Sequence, residues 1–409
     1  MFASLRQLHW SVYALAFASG VIMTGFMMLI PLLPAYSEEL GFNEYEIGLL
    51  VAAFFIGRVL LQFPLGILSD HIGRRHIIWA ALLLFAFATT AYALTETVSV
   101  MIALRTLQGV ASSAFVVGAQ SYINDRTPSR SRGLANGVMS SAINIGVIAG
   151  PVLGGALSVA YNIRAPFWVG GALGLVCFFV TLSIPHLRHP HGPSAPWADI
   201  RPQASRLRGV LSTVLCLPAL SLSTVHFLFM AGLGIFLTSV PVLTAILLSW
   251  SANLIALALA LNGAVAAFSS PYLGRLSDRV GRVKMMIFGL VVMGAQGLVV
   301  FLHPGTPITL AALTLGGVAA PAYFNSFYSL QGDLTRPRER GALMGFVGSF
   351  GEWGSIIGSS LITPLVWRSV NVNAPMAVNA GILAFTVVVV LLLRATLKRQ
   401  VGRPTIQKS

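Results

Sequence analysis

The hydrophobic and polar positions along the chain fall into long apolar runs separated by short polar stretches. Crossing the hydrocarbon of a bilayer as helix takes roughly 20 mainly apolar residues. Runs of this kind occupy 11–35, 47–69, 76–95, 98–122, 134–159 and 166–186, then 214–245, 252–276, 283–303, 306–331, 342–367 and 374–397. They are too long for barrel strands and do not alternate, which argues against a membrane β-barrel. The pattern predicts an all-α membrane protein with twelve transmembrane helices, numbered 1 to 12 in chain order.

Composition supports this reading. Of the 409 residues 56% are hydrophobic and only 9% charged, too few charges to cover the exterior of a water-soluble chain of this length. The net charge of +14 would suit a nucleic-acid partner, but its distribution argues otherwise. With the N-terminus in the cytoplasm, every Lys and Arg except Arg58, Arg105, Arg164 and Arg368 falls in a cytoplasmic loop or tail. That bias predicts a multi-pass protein of the cell (inner or plasma) membrane with both termini cytoplasmic. The first outer loop, SEELGFNEYE, carries Glu38, Glu39, Glu44 and Glu46 and no base. No nucleic acid is expected as a partner. Cys177 and Cys216 lie in or beside helices and suggest neither a disulfide framework nor a metal site. MFASLRQLHW has no A-x-A-like cleavage site, so the first helix is expected to be retained.

The phrase GILSDHIGRR, Gly66 to Arg75, returns as GRLSDRVGRV, Gly274 to Val283, at an offset of 208. At the same offset DRTPSRSRGLANG, from Asp125, meets DLTRPRERGALMG, from Asp333, and Gly146 and Gly150 meet Gly354 and Gly358. One offset serving separated segments indicates a duplicated six-helix unit. The expected organisation is two pseudo-symmetric six-helix bundles, 1–186 and 211–409, the second ending in a cytoplasmic tail. A Pro-, Arg- and His-rich linker, 187–210, joins them. His186 beside it and His189 and His191 within it read as solvated residues and not as metal ligands. Parallel halves of this kind are a transporter plan with the solute site near the midplane.

These motifs resemble those of the major facilitator superfamily. Gly66, Asp70, Gly73 and Arg74 match the family's G-x-L-x-D-x-x-G-R-[RK] motif between helices 2 and 3, with Asp278 and Arg282 in a second copy between helices 8 and 9. ALRTLQGVASSA in helix 4 is similar to the R-x-x-Q-G motif through Arg105, Gln108 and Gly109, although Ala111 stands where a further Gly is common. GVMSSAINIGVIAGPVLGG in helix 5 fits G-x8-G-x3-G-P-x2-G-G through Gly137, Gly146, Gly150, Pro151, Gly154 and Gly155. It resembles the antiporter motif of the twelve-helix drug:proton branch. The resemblance implies that helices 2, 5, 8 and 11 line the interface between halves and that helices 1, 4, 7 and 10 line a central cavity.

Gly146, Gly150 and Gly154 share one helix face and let another helix approach closely, and Pro151 is expected to kink helix 5. Helix 11 carries Gly345, Gly348, Gly351, Gly354 and Gly358. Such faces suit either a surface on which one half rocks over the other or static tight packing. In the loop motif, Gly66 and Gly73 allow a tight turn, and Asp70 can sit against the positive end of a helix. The resemblance implies that helix 11 is that partner when the cytoplasmic side is closed. Arg74, pairing with Asp70 and Asp125, would hold this cytoplasmic gate, with Asp278 and Arg282 as a second one.

Ionisable residues inside spanning helices are costly and functional by default. Arg58, Arg105, His226 and Glu352 are the candidates, all assigned to proton coupling. Glu352 lies twelve residues beyond Arg340, about 18 Å at the rise of an α-helix, and Arg58 lies twelve residues before Asp70. If helices 2 and 11 adjoin, the two can form an ion pair across the halves. Arg105 matches a family position associated with proton transfer, and His226 is a side chain that ordinarily titrates near neutrality. For the cavity, helix 1 offers Met23, Met27 and Met28, adaptable in shape, and helix 10 offers Phe324, Phe327, Tyr328 and Gln331. No carboxylate lies deep in the N-terminal half, which disfavours a strictly cationic substrate.

The expected function is secondary active transport, namely proton-coupled export of small amphipathic compounds or metabolites by alternating access. The alternative is an uptake symporter or facilitator for a small anionic metabolite, with Arg58 as counter-ion; a non-transporting sensor or scaffold fits less well. The chain has no G-x4-G-K-[ST] loop, no H-E-x-x-H and no nucleophile constellation, so it is not expected to be an enzyme. Cofactors and metals are not expected. The partners are a small-molecule substrate, protons and the lipid bilayer, with the chain acting as a monomer.

Overall fold

The computed structural model describes residues 8–128, 131–185, 217–303, 305–334 and 340–401. The linker 187–210, with its neighbouring histidines, and Cys216 lie outside the described residues. Twelve helical spans follow one another, and no strand occurs among the described residues. In the first half, α1 runs Trp10–Met28 and continues through a 3-10 turn at Ile30–Leu32 into Leu33–Leu40. It is followed by α2 (Glu44–Ile72), α3 (Arg74–Tyr92), α4 (Val98–Arg126), α5 (Arg132–Ala160) and α6 (Ala165–Leu182). The second half holds α7 (Leu217–Leu248), α8 (Ala252–Val280) and α9 (Arg282–Leu302). Next come α10 (Thr306–Leu315, a 3-10 turn at Gly316–Val318, then Ala319–Leu334) and α11 (Arg340–Ile357, a π turn at Gly358–Ile362, then Thr363–Ser369). The last is α12 (Ala374–Val401).

Ten of these spans are long and apolar enough to cross a membrane, and α2 and α11 have the length to complete the twelve. The helices overrun the apolar stretches at polar ends, as at Asp125–Arg126 and Ser277–Val280. A backbone leaving hydrocarbon keeps its hydrogen bonds inside the helix until water can replace them.

The repeated motif is less of a loop than its composition suggests. Between α2 and α3 the only break is Gly73, at φ 97°, and between α8 and α9 it is Gly281, at φ 105°. Both fall in the left-handed region that a side chain resists, and they are 208 residues apart. Each reverses the chain in one step, so the basic residues after it open the next helix.

The glycine faces pack inside the bundles. Gly146 and Gly150 lie against Gly20, Met23, Thr24 and Met27 of α1, and Gly154 lies against the Met28 carbonyl. In the second half Gly354 and Gly358 lie in the same way against Phe227 and Ala231 of α7. Static packing is therefore what these positions do here, in place of a sliding surface between halves. Gly155 differs: it faces Ala256 and Ala252 of α8. Pro151 is accommodated within an unbroken helix.

A reciprocal contact joins α2 to α4. A methyl group on Gly57 would strike the Thr106 carbonyl, and one on Gly109 would strike the Phe54 carbonyl. Backbone on both sides leaves no rotamer to relieve the clash. Gly57→Ala is expected to destabilise the protein by about 1–3 kcal/mol, the usual cost of overpacking. A lower thermal midpoint in detergent would register it, with Gly381→Ala, in open space, left unchanged.

With twelve spans, the start of α1 and the end of α12 lie on one face of the helix array, and the halves meet mainly toward the opposite, far face. There Gly48 of α2 sits under Ser359 and Pro364 of α11, while Gly155 meets α8 and Ile148 meets Gly263. An apolar cluster runs through both halves and includes Leu29, Leu33 and Leu50 with Val240, Leu243 and Trp250. A second cluster, around Leu15, Phe85 and Phe115, belongs to the first half alone. Toward the termini, the α5 face that carries Gly155 and Ile148 continues through Asn144, Ser141 and Gly137, which are exposed. Gly137 has open space at its Cβ position. The seam is shut on the far face, and on the other side the α5 face beyond Ile148 is exposed.

Candidate functional site

At mid-depth α2 and α11 are joined by one ion pair. Arg58 Nη2 lies 3.1 Å from Glu352 Oε1. The carboxylate is buried and the arginine half-buried. Glu352 Oε2 and Arg58 Nε have no hydrogen bond among the described residues, so the pair is each group's main electrostatic compensation. The Arg58 guanidinium also stands 6.0 Å from the Phe54 ring centre. Tyr328 of α10 is 51% exposed. Neutralising the carboxyl would remove the attraction across the seam and leave a cation there.

Behind Glu352 the second half is aromatic. The His226 ring stacks on Phe327 at 4.4 Å, and its Nδ1 lies 3.3 Å from the Tyr323 hydroxyl. It also fills the space that a side chain at Gly351 would need. The four helix 10 candidates divide accordingly. Phe327 and Gln331 are buried in the bundle, whereas Phe324 is half-buried and Tyr328 exposed, the last two rings stacked at 5.8 Å. On α1, Met23 and Met27 are half-buried with their Cβ atoms against the α5 glycines, and Met28 is fully buried.

Arg105 is fully buried in the first half. It donates to Gln108 Oε1 at 2.8 Å and to the Phe26 carbonyl at 2.7 Å, and Gln108 donates onward to Thr89 at 3.0 Å. The rings of Phe26 and Phe54 flank its guanidinium at 5.0 and 5.5 Å. No carboxylate among the described residues pairs with it. It holds a carbonyl and two rings, apart from the Arg58–Glu352 pair.

Arg74 pairs with Asp125 and donates to the Ser121 carbonyl at the end of α4. Arg282, its counterpart 208 residues on, donates to the Ser329 carbonyl in α10, again 208 residues after Ser121. Both contacts stay within one half. Sequence motifs name charged partners and pass over carbonyl acceptors, so Ser121 and Ser329 were missed; the repeat offset was the signal that relates them. Asp278 is exposed on α8 with no ion pair to another described residue. Gly66 and Asp70 fall on α2, where their surroundings lie outside the described residues.

Duplicated six-helix bundles, sealed on one face and joined at mid-depth by the Arg58–Glu352 pair, are the plan of a membrane transporter and not of an enzyme. A family model described as Major Facilitator Superfamily matches residues 15–251 and 222–409, and the chain belongs to that family. It is 27% identical over 397 residues to the "Quinolone resistance protein NorA" of Staphylococcus aureus (strain MRSA252), covering 95% of this chain and 98% of the relative. Its fold is similar to a bacterial homolog of the human lysosomal transporter Spinster in an inward-facing, occupied conformation. There the TM-score is 0.75 at 16% identity, over 97% of this chain and 98% of that one. The human organic anion transporter MFSD10 (TETRAN) gives a TM-score of 0.69 at 18% identity, over 93% and 98%.

Proposed function

We propose that the chain is a proton-coupled exporter of small amphipathic compounds, acting as a monomer in the cell membrane with both termini cytoplasmic. The observation that carries this reading is the Arg58–Glu352 pair, a titratable bridge between two rigid halves at the depth where a solute would sit. In this scheme the deprotonated pair holds the α2–α11 seam, and a proton on Glu352 releases it. The sealed far face and the exposed α5 face on the other side fit the state that loads substrate from the cytoplasm. The relative of similar length is named for resistance to quinolones, which fits outward transport of such compounds.

A second reading, uptake of a small anion, draws on Arg105, a buried cation with no carboxylate partner among the described residues. Purified protein in vesicles with an imposed pH gradient separates the two. Opposed movement of protons and an amphipathic dye is the expected result; co-directional flux of an organic anion would favour uptake, and a dye flux indifferent to the gradient would discard coupling.

A further inference from the structure

The internal repeat links the ion-paired carboxylate to a residue that no motif marks. Glu352 on α11 corresponds, 208 residues earlier, to Asn144 on α5, and Arg58 on α2 corresponds to Ala266 on α8. One seam between the halves therefore carries a salt bridge at mid-depth, and the other carries an amide opposite a methyl group. Asn144 is exposed, and no hydrogen bond to another described residue is recorded for it. It is twelve residues into α5 from Arg132, about 18 Å along the helix, which is membrane depth.

The direction of this amide follows from helix periodicity. Ile148 and Gly155, on the same face, meet Gly263 and Ala256 of α8, and positions three, four and seven residues apart share a face. Asn144 continues that face and points at the seam. An unpaired amide in hydrocarbon is costly, so an exposed one at this depth belongs in a hydrated cleft. Ser141, the next residue along, is not equivalent, since its hydroxyl donates to the Gly137 carbonyl at 2.9 Å. Asn144 is the amide left available.

We propose that Asn144 is a polar substrate contact on the wall of the first half, and that the cleft selects neutral, planar amphipathic solutes bearing a carbonyl, amide or hydroxyl group. The proposal deepens the exporter reading and rests on it for the identity of the cleft. The Arg58–Glu352 pair is already balanced, so a fixed charge on the solute would have to break it. The stacked Phe324 and Tyr328 rings offer a planar surface on the second half. An amide can both donate to and accept from a neutral polar group.

The test is equilibrium binding to the full chain in lipid nanodiscs without any gradient. The probes are a neutral acetamidocoumarin and the same ring bearing a trimethylammonium group, titrated by fluorescence. The wild type is expected to prefer the neutral probe. Asn144→Leu should weaken that probe about tenfold, the scale of one lost hydrogen bond at a built site, with an unchanged thermal midpoint. Asn144→Asp should reverse the preference toward the cation. The proposal is overturned if the wild type does not bind the neutral probe preferentially, if Asn144→Leu binds it as the wild type does, or if Asn144→Asp weakens both probes alike. Intact selectivity combined with gradient-independent flux in vesicles would instead sink the exporter reading and leave the Asn144 contact standing.

Discussion

Glu352→Gln is expected to abolish transport driven by a pH gradient while leaving a folded protein that still binds solute. The amide keeps the shape of the carboxyl and cannot exchange a proton, so the seam loses its titratable member. Removing one partner of a buried ion pair costs about 3–5 kcal/mol. Arg58 is 24% exposed at its side chain, and water there lowers the figure toward the bottom of that range. The remaining effect on conformation is still large. About 5.5 kcal/mol carries a two-state equilibrium from 1:99 to 99:1, so even half of that redistributes the populations. Proton-driven dye uptake into inverted vesicles should fall to the protein-free background, while downhill dye exchange without a gradient persists. Arg58→Gln should also uncouple the protein, and the double variant should be no worse than either single one, because both remove the same interaction. Uphill transport by Glu352→Gln would assign the pair a purely structural role.

Much of this arrangement is written in the sequence. The twelve spans follow from apolar runs, and the duplication follows from three segments sharing one offset. The juxtaposition of Arg58 and Glu352 follows from depth: each lies twelve residues from a polar helix end, and helix rise turns that count into a position. What the sequence withholds is which neighbour a helix face meets. Gly146, Gly150 and Gly154 mark a smooth face, but only packing shows that α1 covers it. Phe324, Phe327, Tyr328 and Gln331 share an arc wide enough for its two edges to part, Phe327 turning to His226 and Tyr328 to the cleft. Arg74 and Arg282 were legible as charges, whereas the carbonyls that receive them were not. Acceptors of that kind belong to every residue, so no composition singles them out.

The second large effect is expected at Gly48, where the far face is shut. This glycine lies under the π turn Gly358–Ile362 of α11, and a Cβ there would fall on the Ser359 carbonyl and 2.9 Å from Pro364 Cγ. A π turn is a local departure from the α-helical ladder that often sits at functional positions, and here it presents backbone to the seam. Gly48→Val would put a branched side chain against that backbone. Relief requires α2 and α11 to separate, which is the movement that opens the far face. An overpacking cost of about 1–3 kcal/mol would then fall on the far-closed state alone, and each 1.4 kcal/mol shifts the equilibrium tenfold. Spin labels at Glu44 and Val370, at the far ends of α2 and α11, should report a longer mean separation in Gly48→Val than in the wild type. Gly381→Val, with open space at its Cβ, should leave the separation unchanged. Gradient-driven flux should fall about fivefold or more while the protein still binds solute, since a carrier biased toward one open face completes fewer cycles. An unaltered label separation in Gly48→Val would show that this contact does not set the closed state, and the seal would have to be sought at the other seam, where Gly155 meets Ala256.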